Sequence, residues 1–187
     1  MKYFKKLVGQ KCYLSPVDPG DVEIFTAWLN DLEVTRNLNP ATQNVTLVTE
    51  KAALERLAQD GHVYSIVDLE TDTLIGDLGL LDIDHINRCC GIGIFIGNKE
   101  YWGKGYGAEA MRLLLGYAFD YLNMNNIMLT VYEFNERACA CYKKIGFKEI
   151  GRRRKAICRE GRFYDHVFMD ILAEEFRALG PREDSES

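Results

Sequence analysis

The sequence predicts a mixed α/β (α+β) domain, and three observations carry that expectation. Short apolar runs rich in Ile, Val and Leu fill the middle of the chain, at 63–67, 74–81 and 91–96. A strongly helical stretch follows them, and the chain then returns to strand-like segments. Strands, a helix and strands again, arranged around one sheet, define the class. With 187 residues the chain has the size of a single domain, expected over 1–179, with a polar tail at 180–187.

The elements follow in order. Residues 11–16 read as a first strand ended by Pro16. Asp21 opens a helix running to about Asn30, with Val22, Phe25 and Leu29 along one face. A second helix spans about 49–60 and stops at Gly61. The three central runs are joined by turns at 70–73 and 84–88, which makes them consecutive antiparallel strands. Ala108, Met111, Leu115, Ala118 and Leu122 mark the strongest helix, with Glu109, Arg112 and Asp120 on its wet face. A strand at 127–132 comes next, then a helix capped by Asn135 and closed by Gly146. Two last strands flank a turn at 159–161.

Composition excludes several classes. The chain is 47% apolar and 27% charged, too apolar for disorder. No 18-residue apolar run is present, so no transmembrane helix is expected, and no apolar segment behind Met1–Lys6 makes a signal peptide. A net charge of −5 disfavours nucleic acid, which needs clustered Lys and Arg. The six cysteines form no Cys-x-x-Cys pair and the three histidines are scattered, so no metal is expected. Reduced thiols fit a cytoplasmic protein.

The chemistry concentrates at 91–110. Gly103, Gly105 and Gly107 alternate directly after a strand and just ahead of the strongest helix. Such glycines let the backbone wrap a ligand, and a helix start aims free N–H groups at it. Together these suit an anion such as a pyrophosphate, with Lys99 and Lys104 adding charge. A P-loop fits poorly: five residues, not four, separate Gly97 from Gly103, and no Ser or Thr follows Lys104. A dinucleotide fingerprint fits poorly too, because its third glycine falls one place early. A glycine-rich turn without ligand is the remaining alternative.

Trp102-Gly103-Lys104-Gly105-Tyr106-Gly107 resembles the acyl-CoA signature of the GCN5-related N-acetyltransferase (GNAT) superfamily. Asn135-Glu-Arg-Ala-Cys-Ala-Cys-Tyr142-Lys-Lys-Ile-Gly146-Phe147 resembles that family's later motif, at family spacing. The phrasing is most similar to the branch holding ribosomal-protein N-terminal and spermidine acetyltransferases. The departure is Trp102, where the family carries Gln or Arg; it removes that side chain's phosphate contact and leaves the backbone cradle.

The resemblance implies a central, mostly antiparallel twisted sheet of about seven strands with about four helices and splayed central strands. It implies acetyl-CoA as co-substrate, no metal, and a primary amine as acceptor: a protein N-terminus, a polyamine or another small amine. Pantetheine would pair with the backbone of Ile94, Phe95 and Ile96. The pyrophosphate would sit on the loop from Trp102 and Gly103 through Lys104, Gly105, Tyr106 and Gly107 to Ala108. Asn135 would meet the cofactor arm, and Tyr142 would protonate the departing thiolate. The amine's proton has several candidate acceptors on strand ends or loops, namely Glu133, Asp82, Asp84, Asp31 and Glu33. Arg152–Lys155 could touch CoA or substrate, or be a solvated strand face. The family admits a homodimer. A non-catalytic acyl-CoA-binding regulatory or sensory module is the second reading.

Overall fold

A computed structural model describes residues 2–38 and 43–180, so the expected tail beyond Gly180 lies outside the described residues. Eight strands form one open sheet, hydrogen-bonded in the order β1-β2-β3-β4-β5-β6-β8-β7. They are β1 (Leu7–Val8), β2 (Cys12–Pro16), β3 (Val63–Asp68), β4 (Leu74–Asp84), β5 (Cys89–Ile96), β6 (Asn126–Tyr132), β7 (Lys148–Arg159) and β8 (Arg162–Leu172). Among the described residues the helices are α1 (Val22–Leu29), α2 (Leu32–Thr35), α3 (Leu47–Asp60), α4 (Tyr106–Asp120), α5 (Glu136–Ile145) and α6 (Ala173–Ala178). The expected mixed α/β class is the one observed. The elements beyond the expected seven strands and four helices are β1, α2 and α6, each too short to show a period.

The chain divides into two compact units. The first holds Met1–Leu81 and Gly93–Leu115. Its core gathers Tyr13, Phe25, Leu54, Val63, Val67 and Leu74, with Trp28 and Phe95 packed against them. Phe25 and Trp28 meet edge to face at 5.3 Å, and both touch Phe95. Removing such side chains from water stabilises by about 1.5–3 kcal/mol each.

Caps explain where these helices start and stop. Thr46 and Thr49 exchange hydrogen bonds in a capping box that begins α3 at Leu47, ahead of the expected Thr49. Gly61 ends α3 with φ 78°. Asp21 stands at the start of α1 as expected, yet its carboxylate makes no cap. It is buried and takes hydrogen bonds from Lys2 and the Tyr3 hydroxyl instead. Residues at the very start of the chain thus outbid the helix for this side chain.

The second unit holds Asp82–Ile92 and Gly116–Ser187. Here β6 runs antiparallel to β8, with Ile127 opposite Ile171, Leu129 opposite Met169 and Val131 opposite Val167. These residues are buried. The β5–β6 pairing is parallel and covers three residue pairs, Cys89↔Asn126 to Gly91↔Met128. Phe119 near the end of α4 meets Phe176 of α6 at 5.4 Å. Leu122, expected within this helix, lies past its end. The hairpin turn at 159–161 is as expected, with Glu160 and Gly161 both at positive φ.

Candidate functional site

The glycine-rich segment begins where β5 leaves the first core. A Cβ at Gly97 would strike the Trp28 ring at 2.2 Å, so only glycine lets the chain pass there. Asn98 then caps a 3₁₀ turn at Lys99–Tyr101. Lys99 does not serve the loop: its ammonium lies 2.7 Å from Asp31 and 2.6 Å from Glu33. The Lys99 hydrogen bond also holds the Asp31 carboxyl below its ordinary range. Trp102 turns its indole N–H back onto the Ile96 carbonyl at 2.9 Å, so the side chain anchors the loop to β5.

Gly103 and Gly105 adopt φ of 74° and 88°, values at which a side chain is strained. Helix α4 starts at Tyr106, and its first closing bond is Glu109 N–H to the Gly105 carbonyl at 3.1 Å. The amides from Gly105 to Ala108 therefore have no acceptor within the helix and point out of its end. Such a terminus carries about half a positive charge. Gly107 needs no unusual φ; a Cβ there would rest 3.6 Å from Ile94 and 3.7 Å from Ile96.

Three residues that sequence reasoning missed hold this loop in place. Lys11, in the β1–β2 turn, donates its ammonium to the Lys104 carbonyl at 3.2 Å. The same nitrogen lies 3.4 Å from where a Gly105 Cβ would be. Glu109, expected on the wet face of α4, accepts from the backbone amides of Lys11 (2.8 Å) and Cys12 (3.2 Å). Burial first, and Glu109 second, push the neighbouring Cys12 thiol up to about 12. Asp68, at the end of β3, accepts the Tyr106 hydroxyl at 2.7 Å and further bonds from Glu70 and Thr71. Burial opposes the Asp68 charge, but the Tyr106 and Thr71 bonds hold its carboxyl below its ordinary range. The Asp68 bond in turn raises the Tyr106 phenol. The Tyr106–Asp68 bond and the contacts of Lys11 and Glu109 span 38 to 98 residues of chain, and no local pattern announces them.

In the second unit Asn135 caps α5, accepting from Ala138 N–H at 3.2 Å. Tyr142 lies two turns further on, its ring 6.0 Å from Phe147. Burial, the largest influence, raises its phenol above the ordinary value. The helix ends at Gly146, φ 119°. Glu133 accepts from Asp165 N–H at 2.9 Å and faces Arg152 at 3.4 Å. Arg152 is itself forked onto Glu149. Residues 152–155 are exposed along β7, the edge strand, as a solvated strand face would be.

Most of the proposed proton acceptors already have work. Asp31 and Glu33 hold Lys99, Glu133 is bonded as above, and Asp84 closes a turn onto Ile86 and Asn87. Asp82 stands exposed at φ 49°. A carboxylate not on that roster stands out: Asp77, half-buried in the middle of β4. Burial, and then the charge of Glu50, raise its carboxyl to about 7. The signal was an acid inside the apolar run 74–81. A separate cavity of about 530 Å³ is lined by Tyr3, Trp28, Leu74 and Asn98 and by none of residues 102–108.

Fold and loop define the class: an N-acetyltransferase that takes its acetyl group from acetyl-CoA. A family model described as "Acetyltransferase (GNAT) domain" matches residues 11–148, and the chain belongs to that family. It is 28% identical over 174 residues to an uncharacterized N-acetyltransferase, p20, of Bacillus licheniformis, covering 91% of this chain and 97% of that one. It is 31% identical over 103 residues to spermidine N(1)-acetyltransferase of Escherichia coli K12, 55% of each chain. In fold it is similar to the Vibrio cholerae spermidine N-acetyltransferase solved with CoA and spermine. That likeness has a TM-score of 0.79, 24% identity, and covers 90% of this chain and 99% of the other.

Proposed function

We propose that the protein acetylates a cationic primary amine, by direct attack on acetyl-CoA in a ternary complex and without a covalent enzyme intermediate. The observation that carries this is the loop at Gly103–Ala108, with its outward amides and the Lys11 ammonium beside it. The pyrophosphate sits on those amides, with Lys11 and Lys104 supplying charge where Trp102 does not. The pantetheine arm lies along the backbone of Ile94, Phe95 and Ile96, and Asn135 meets it while capping α5.

Tyr142 protonates the leaving thiolate. A donor must be protonated at working pH, and a buried phenol is. Desolvation raises the thiolate's basicity as well, which offsets the weaker acidity of the buried phenol. No histidine accompanies Cys139 or Cys141, and burial raises the Cys139 thiol, so a cysteine nucleophile lacks support.

The two units work as one N-acetyltransferase domain over 1–179; the span of the family match across both supports this. Relatives named for spermidine support a polyamine as acceptor, with protein N-termini as the other amine class. Six free cysteines support a reducing, cytoplasmic setting. The test is thiol release from acetyl-CoA over spermidine, N-terminal peptides and an aminoglycoside. Amine-dependent release with any of them is expected. Tight acetyl-CoA binding with no release in any arm would make the protein a binding module instead.

A further inference from the structure

The antiparallel register of β3 and β4 sets Ser65 directly opposite Asp77. Both side chains face α1 and α3, because Val63, two residues from Ser65, packs in the core with Phe25 and Leu54. Ser65 is fully buried, and its hydroxyl has no hydrogen-bond partner. The Thr26 hydroxyl in α1 is orphaned in the same way. Glu50, in the first turn of α3, is buried too, and desolvation raises its carboxyl.

Buried acids are ordinarily paired with a cation. Here neither Asp77 nor Glu50 meets a lysine or arginine among the described residues. The hydrogen bond to the Asp77 carboxylate comes from its own backbone amide. Two acids and a hydroxyl without a partner thus share one sheet face with apolar neighbours. The neighbouring strand is the one that matters. A Cβ at Gly76 would fall 2.0 Å from the Phe95 carbonyl, so Asp77 follows the point where β4 is pressed against β5. Phe95 shows its ring on this same face, against Phe25 and Trp28.

We propose that Asp77, with Ser65 and Glu50 around it, is the acceptor subsite: it binds the substrate's ammonium and takes its proton. The inference rests on the acetyltransferase reading above and names the acceptor side of that site. In the step, the ammonium gives one proton to the Asp77 carboxylate, and the neutral amine attacks the thioester carbonyl. The N–C bond forms and the C–S bond breaks. The thiolate receives a proton from Tyr142, which the amine's second proton replaces through solvent, and Asp77 returns its own proton to water. Glu50 is the charged group that faces Asp77 on this side of the sheet.

The experiment compares wild type, Asp77→Asn and Glu50→Gln. Each is assayed for kcat/KM against pH with the best acceptor among spermidine, an N-terminal peptide and an aminoglycoside, and for acetyl-CoA affinity by calorimetry. Wild-type activity should rise as pH passes about 7, where Asp77 ionises. Asp77→Asn should bind acetyl-CoA normally, lose about 10²–10⁴-fold in kcat/KM, and lose that rise. Glu50→Gln should move the rise to lower pH, because it removes the charge that holds the Asp77 proton; this readout stands even where Asp77→Asn does not fold. Normal turnover with an unchanged pH profile in both variants would overturn the assignment and leave the acetyltransferase reading intact. A wild type that releases no thiol with any amine overturns both.

Discussion

The Tyr106 hydroxyl donates to the Asp68 carboxylate at 2.7 Å, tying the first residue of α4 to the end of β3. The bond fixes the helix start whose outward amides we propose as the anion cradle. Tyr106→Phe removes the bond and leaves the ring that meets Tyr101 edge to face. A hydrogen bond to a charged partner contributes about 1.5–3 kcal/mol. Part of that loss should appear as acetyl-CoA affinity weakened about tenfold, with kcat little changed. Calorimetry beside steady-state kinetics separates this from a catalytic loss.

Gly105 combines φ of 88° with a close lysine. Gly105→Val strains the backbone and pushes a side chain into the place of the Lys11 ammonium. Acetyl-CoA binding should be abolished, as read by calorimetry, while the thermal melt stays cooperative. Normal affinity in this variant would end the cradle account. Lys11→Met should act more mildly, weakening binding a few-fold and making it less sensitive to salt, since one screened charge pair is gone.

The loop glycines, the α5 cap at Asn135 and the closing Gly61 and Gly146 were legible in the sequence because each depends on neighbours within a few residues. Strand positions were legible for the same reason, within two or three residues at their ends. Lys11, Asp68 and Glu109 were not legible, since their partners lie 38 to 98 residues away. Asp21 shows the opposite failure. It had the right type and place for a helix cap, but Lys2 and Tyr3 claim its carboxylate. Asp77 was visible all along as an acid within an apolar run, and a pattern of strand residues alone gave it no role.

Asp77 also links stability to pH. Its carboxyl is raised to about 7 in the folded chain against about 3.9 unfolded, so the folded state holds the extra proton between those values. Stability from this group is therefore greatest below about pH 4 and falls as pH rises toward 7. Chemical denaturation of wild type and Asp77→Asn at pH 5 and pH 8 checks the sign. The variant should lose less stability than wild type between the two.

The first unit's core should respond to truncation in the ordinary way. Leu54 is fully buried among Tyr13, Phe25 and Val67. Leu54→Ala should cost about 2–5 kcal/mol in urea unfolding. An effect below about 1 kcal/mol would mean that α3 packs on the sheet less closely than described.

We assign Tyr142 as the acid in acetyl transfer, and replacing its hydroxyl tests the assignment. Amine-dependent CoA release is measured for wild type and Tyr142→Phe at saturating acetyl-CoA, with cofactor affinity measured alongside. Wild type should turn over, the variant should lose about 10²-fold, and the two should bind acetyl-CoA with equal affinity. Equal turnover in the two proteins would contradict it.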